Sequence, residues 1–191
     1  MTHPQPLHDV TVAILEDDGF EQVEMTKPRA ALDEAGAKTV VVSPQKTHVT
    51  GWKHDEKGDR FRVDVTIADA NPVDYDALLI PGGVRSPDSL RVDNKAMLFV
   101  HAFEVAKKPI AAICHGPWIL VETDYVRGKR LTSWPSLRTD ILNAGGDWVD
   151  EPVVREDLLV TSRKPADIPQ FNKAVVELFT PREIAASRGS A

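Results

Sequence analysis

The chain has 191 residues, 42% hydrophobic and 27% charged, a balance that fits one globular domain with a sizeable core. A formal charge of −6 supplies no basic face for general nucleic-acid binding, and no run approaches the roughly 18 apolar residues of a membrane-spanning helix. One cysteine excludes an internal disulfide and a cysteine metal cluster, and the start lacks a signal-peptide pattern, so a reducing, cytoplasmic setting is expected.

Residues 1–9 are expected to be a flexible N-terminus, residues 10–180 a single domain, and residues 181–191 a small, polar tail that frays. Val10 to Leu15 is a short β-branched run, read as a buried strand that ends in a turn at Glu16-Asp17-Asp18-Gly19. A helix follows to Glu34 and Ala35, with Gly36 as its C-cap; Pro28 either kinks it or lies in the first turn of a helix that begins near Thr26. Lys38 to Ser43 is the next strand, which gives a right-handed β-α-β crossover.

Residues 44–60 are polar and predict a loop or short hairpin, and Phe61 to Thr66 alternates like a half-exposed strand. Asp76 to Ile80 is a third buried strand, stopped by Pro81-Gly82-Gly83. From Ser89 to Lys107, the helical spacing of Ala96, Phe99, Val100, Phe103 and Ala106 predicts one helix. Pro109 to Ile113 is a strand that delivers Cys114, and a helix resumes from Pro117. A polar helix around Leu137 to Asn143, a strand at Leu158 to Thr161, and a helix carrying Phe171, Ala174, Val175, Leu178 and Phe179 complete the pattern.

Alternating strands and helices make a doubly wound α/β sandwich, in which chemistry collects outside the C-terminal strand ends. The turns at Glu16 to Glu24, Pro81 to Asp88, and Cys114 to Pro117 meet that criterion. At Cys114-His115-Gly116-Pro117, a buried strand breaks sharply into a helix, as in a nucleophile elbow. A helix N-terminus there favours thiolate over thiol. Cys114 has an inert core reading and a nucleophile reading, and the turn around it favours the second.

His115 is either its base or an exposed polar turn residue. Gly82 and Gly83 form a tight turn or, with the backbone N–H of His115, an oxyanion hole. Glu21 is structural or loop-positioning, whereas Glu24, if it faces the strand ends, can hydrogen-bond the sulfur with a pKa raised by burial. Asp88 is the other candidate acid, supplied from a second subunit. Arg163 binds an oxyanion or carboxylate, or makes a surface ion pair. His3, His8, His48, His54 and His101 show no ligand spacing, so no metal is expected.

Gly19-Phe20-Glu21-Gln22-Val23-Glu24, Leu79-Ile80-Pro81-Gly82-Gly83 with Pro87-Asp88, and Ala111 to Pro117 resemble the PfpI branch of the PfpI/DJ-one superfamily. Leu131 to Ser136, Asn143 to Gly146 and Thr161-Ser162-Arg163 extend the resemblance, which runs from about residue 10 to residue 180. It implies a flavodoxin-like (Rossmann-like) sandwich with a mostly parallel sheet, and a homodimer or higher homo-oligomer with active sites near subunit interfaces. It also implies Cys114 as nucleophile, His115 as its imidazole partner, and Glu24 as the acid on the sulfur. Asp88 falls where the family's proteases carry the acid of the neighbouring subunit, though there the residue is Glu and the loop slightly shorter. Trp134 falls near a position that is often His or Tyr in the family, which predicts a tighter, more apolar substrate pocket.

The resulting expectation is a stress-response thiol hydrolase. Its substrates would be reactive aldehydes or their protein adducts, as for a deglycase or glyoxalase, or peptides, as for an intracellular protease. The alternative is a non-catalytic redox sensor or chaperone working through oxidation of Cys114. The expected partners are a small electrophilic substrate or a damaged protein, without nucleic acid, membrane or cofactor.

Overall fold

A computed structural model describes residues 5–189 of the chain; His3 and the outer parts of both expected tails lie outside the described residues. Thr11–Leu15 forms β1 because both its faces are covered, Val12 and Ile14 joining one core and Ala13 and Leu15 the other. Phe20–Glu21 (β2) leads directly into α1, Gln22–Glu34. That helix starts before the Thr26 boundary and runs through Pro28, whose missing N–H forfeits the bond to the Glu24 carbonyl.

After Lys38–Ser43 (β3), the polar stretch folds into an antiparallel hairpin of His48–Lys53 (β4) and Glu56–Arg62 (β5). β4 also pairs in parallel with β2, so these strands form a small sheet of their own. The strand expected over Phe61 to Thr66 is therefore divided. Phe61 and Arg62 stay in the hairpin, while Val65–Thr66 (β6) edges the main sheet. The break falls at Asp64, whose carboxylate accepts the Val41 N–H at 2.9 Å.

Ala77–Ile80 (β7) ends at Pro81. The single helix expected from Ser89 to Lys107 is two, Arg85–Leu90 (α2) and Asn94–Val105 (α3). Asp93 separates them by capping α3, its carboxylate accepting the N–H groups of Lys95 at 2.8 Å and Ala96 at 3.0 Å. Ile110–Ile113 (β8) and Pro117–Glu122 (α4) flank the Cys114 turn. Arg130–Leu131 (β9) and Asp147–Trp148 (β10) pair around Arg138–Asn143 (α5). Val153–Glu156 (β11) turns back on Leu159–Ser162 (β12), and Ile168–Leu178 (α6) closes the domain.

The described part of each tail has one buried apolar side chain. Pro181–Gly189 forms α7, with Ile184 only 6% exposed, and Leu7 is fully buried with its N–H on the Ala35 carbonyl at 2.9 Å. In each, one apolar side chain finds the core and pins an otherwise polar segment.

The main sheet has the order β11-β12-β8-β7-β1-β3-β6, parallel except for the β11–β12 pair. Met25, Leu32, Phe171 and Phe179 of the α1–α6 side cover one face; Phe99, Phe103, Ile119 and Ile141 of α3, α4 and α5 cover the other. This doubly wound, flavodoxin-like arrangement brings the C-terminal ends of β1, β7 and β8 side by side.

Candidate active site

Cys114 occupies the turn between β8 and α4 with φ +61, a left-handed conformation that costs a non-glycine residue roughly 1–2 kcal/mol. Two bonds hold it there. Its N–H donates to the Ser162 carbonyl at the end of β12, and its own carbonyl accepts the Trp134 N–H, each at 2.9 Å. Backbone strain that persists because neighbours over-determine it is a mark of functional turns.

The left-handed turn lets adjacent side chains converge. Cys114 Sγ lies 3.2 Å from His115 Nδ1, and His115 Nε2 lies 3.2 Å from Ser136 Oγ. The imidazole also stacks on Trp134, with centroids 6.1 Å apart and planes at 25°. His115 is 8% exposed, and burial pulls its pKa below the usual value, so it rests as a neutral base. Burial likewise pushes the Cys114 thiol up. The expected lowering by the helix N-terminus is outweighed, because α4 is only six residues long and the sulfur is desolvated. In the tautomer with its hydrogen on Nε2, the S–H donates to Nδ1 and the Nε2–H donates to Ser136 Oγ.

Glu24 is fully buried on the first turn of α1, and its Oε2 accepts the Gly82 N–H at 3.1 Å. Desolvation, aided by the charge of Glu21, raises its pKa to about 8 against the pull of hydrogen bonds from Cys114 and Gly82. At neutral pH it holds a proton. A Glu24 carboxylate pushes the thiol up further, and protonation of Glu24 removes that charge. The nearby backbone N–H groups of Gly83 and His115 favour negative charge on the sulfur. Gly83 has φ +82, and a Cβ on it would stand 2.6 Å from both the Glu21 nitrogen and the Gly19 oxygen. At Gly82, a Cβ would stand 2.4 Å from Glu24 Oε2 and 2.6 Å from Cys114 Cβ.

Above the sulfur is a cleft of about 610 Å³, lined by Cys114, His115, Glu21, Glu24, Gly83, Arg85, Trp134 and Ser136, with Trp52, His54 and Asp55 from the β4–β5 hairpin. Trp134 is thus where a pocket residue was expected. Asp88 and Arg163 are not among the cleft residues. Asp88 is exposed on α2, and the His115 Nε2 faces Ser136 of the same chain. The Arg163 guanidinium is committed to Asp150 at 2.7 Å and Asp167 at 2.9 Å, the ion-pair alternative. Ser136, Trp52 and Arg85 went unanticipated as site residues.

A second open depression, about 780 Å³, is bounded by Pro44, Lys46, Asp69 and Lys95 and contains neither cysteine nor histidine. Among the described residues, no three His, Cys, Asp or Glu side chains converge on a metal position, and no helix is long and apolar enough to cross a membrane.

The sequence matches the DJ-1/PfpI family over residues 10–178. An uncharacterized protein of Staphylococcus epidermidis is 45% identical over 168 residues, which is 87% of this chain and 95% of that protein. YraA of Bacillus subtilis, provisionally named a cysteine protease, is 42% identical over 88% of this chain and 97% of its own. A solved two-domain protein from Anabaena variabilis, with DJ-1/ThiJ/PfpI-like and ferritin-like domains, has a TM-score of 0.83 at 34% identity. That match covers 88% of this chain, which spans about half (48%) of the Anabaena protein. DJ-1beta of Drosophila melanogaster, at 24% identity over 95% of this chain and 96% of its own, shares the fold with a TM-score of 0.81.

Proposed function

We propose that this chain, which belongs to the DJ-1/PfpI family, is a cysteine-dependent hydrolase that removes reactive aldehydes or their protein adducts as part of a cytoplasmic stress response. The observation that carries the reading is His115, held between Cys114 Sγ and Ser136 Oγ at 3.2 Å on each side. Geometry of this kind suits a base that takes the thiol proton as the sulfur attacks, in place of a standing thiolate.

In the proposed chemistry, Cys114 Sγ bonds to the electrophilic carbon while its proton passes to His115 Nδ1. The former carbonyl oxygen gains the electron pair and is received by the N–H groups of Gly83 and His115. Protonated Glu24 donates to the sulfur whenever it carries negative charge. With an aldehyde, His115 returns the proton to the oxygen and a thiohemiacetal forms. With an amide, the proton goes to the leaving nitrogen, and water later cleaves the thioester. A cleft of about 610 Å³ under a hairpin suits small electrophiles and side-chain adducts better than an extended peptide.

Cys114→Ser should abolish turnover of methylglyoxal and of glycated peptides, with little change on fluorescent casein because little cleavage is expected there. Full activity of Cys114→Ser on every substrate would remove the nucleophile assignment. The redox-sensor reading needs a thiolate at rest, which the buried, raised thiol does not favour. Selective oxygen addition to Cys114 under mild peroxide, seen by intact mass, would restore it.

A further inference from the structure

Arg85 has no part in the chemistry above, yet it is the one Lys or Arg among the residues lining the Cys114 cleft. Its guanidinium lies over the Trp52 ring, 5.2 Å from the centroid. Its stem fills the space left by Gly19, where an added Cβ would stand 2.6 Å from Arg85 Cβ and 3.1 Å from Cδ. The side chain is thus seated from two sides. No carboxylate among the described residues forms an ion pair with it, whereas Arg163, near the same strand ends, is held by Asp150 and Asp167.

Arg85 follows the oxyanion donor Gly83 by two residues, so the cation and that donor share one loop. A guanidinium held over an indole without an ion pair keeps N–H groups for a planar, bidentate acceptor. Glu21 and Asp55 also line the cleft and oppose a doubly charged guest. We propose that Arg85 is a carboxylate-binding, specificity-determining residue, and that the preferred electrophiles carry one carboxylate beside the reacting carbon. This rests on the reading of Cys114 as a reactive nucleophile.

Alkylation separates the two claims. Iodoacetate and iodoacetamide deliver the same carbon to sulfur: the S–C bond forms, the C–I bond breaks, iodide leaves with the electron pair, and the thiol proton passes to His115 and then to solvent. Intact mass gives each rate on wild type, Arg85→Gln and Arg85→Lys, with circular dichroism to confirm folding. The iodoacetate-to-iodoacetamide rate ratio should fall about tenfold in Arg85→Gln, with Arg85→Lys between the two. An equal ratio in wild type and Arg85→Gln would overturn the carboxylate site even if Cys114 reacts readily.

If neither reagent labels native Cys114, the nucleophile reading fails while the site is still judged. In that case saturation-transfer NMR of pyruvate is recorded on Cys114→Ser with and without Arg85→Gln. Loss of transfer in the double variant supports the site, and undiminished transfer refutes it.

Discussion

The two walls of the cleft are held by different forces. On the elbow side, Cys114 is 7% exposed and its backbone is bonded to both β12 and the loop before α5. On the hairpin side, β5 is exposed or half-exposed along its whole length, and Trp52, His54 and Asp55 come from the tip of a polar ribbon. The first arrangement holds Cys114 from two sides. The second tolerates change, because little apolar area is buried there. Chemistry and recognition are therefore separable in this molecule, which mutations on either wall can sharpen or break.

The largest effect is expected on the rigid wall. Gly82→Ala would drive a methyl into Glu24 and Cys114, and kcat/KM should fall about a hundredfold while the far-ultraviolet spectrum keeps its shape. Retention of wild-type kcat/KM would show the elbow to be more compliant than its contacts imply. Next, Ser136→Ala should lower kcat about tenfold. Removing the acceptor of the Nε2–H disfavours imidazolium, so the acid limb of the pH–rate profile should also move to lower pH. Asp88→Ala, away from the cleft, should stay within about twofold of wild type under the same assay. If Asp88→Ala is the more damaging, an acid from a neighbouring subunit governs His115 after all.

Glu24 gives a pH test of the same wall. Its folded pKa of about 8 lies above the unfolded 4.5, so the native state keeps a proton that the unfolded chain releases between those values. The stability it contributes is fully present below pH 4.5, falls as pH rises through the window, and levels off above about 8. Urea unfolding from pH 5 to 8 should show a shallower decline in Glu24→Gln. Some slope will remain, because the fully buried Glu16 titrates in the same direction. On the hairpin wall, Trp52→Ala should raise KM about threefold to tenfold with kcat nearly constant, and change the unfolding midpoint little.

What could be read from the sequence follows from how local each signal is. The elbow was legible because an apolar run, a glycine and a proline occur together around Cys114, and the doubly wound order follows from buried strands alternating with helices. The hairpin was less so, since strands with two polar faces show no alternation. Ser136 meets His115 only after the chain between them has folded back, and nothing near Ser136 announces that contact. Arg163 is instructive in the other sense. Its partner Asp167 lies four residues ahead, so the ion pair was within reach of local reasoning, whereas Asp150 was not.

The bond from Cys114 N–H to the Ser162 carbonyl also sets an order of events during synthesis. β8 lies between β7 and β12 in the finished sheet, yet β12 leaves the ribosome almost fifty residues later. Until then Ile110–Ile113 is a bare apolar edge, open to pairing with other chains. A chain ending before Leu159 would lack both the Ser162 bond to Cys114 and the β12 neighbour of this strand. One strand, β12, thus both covers that edge and ties down the Cys114 backbone.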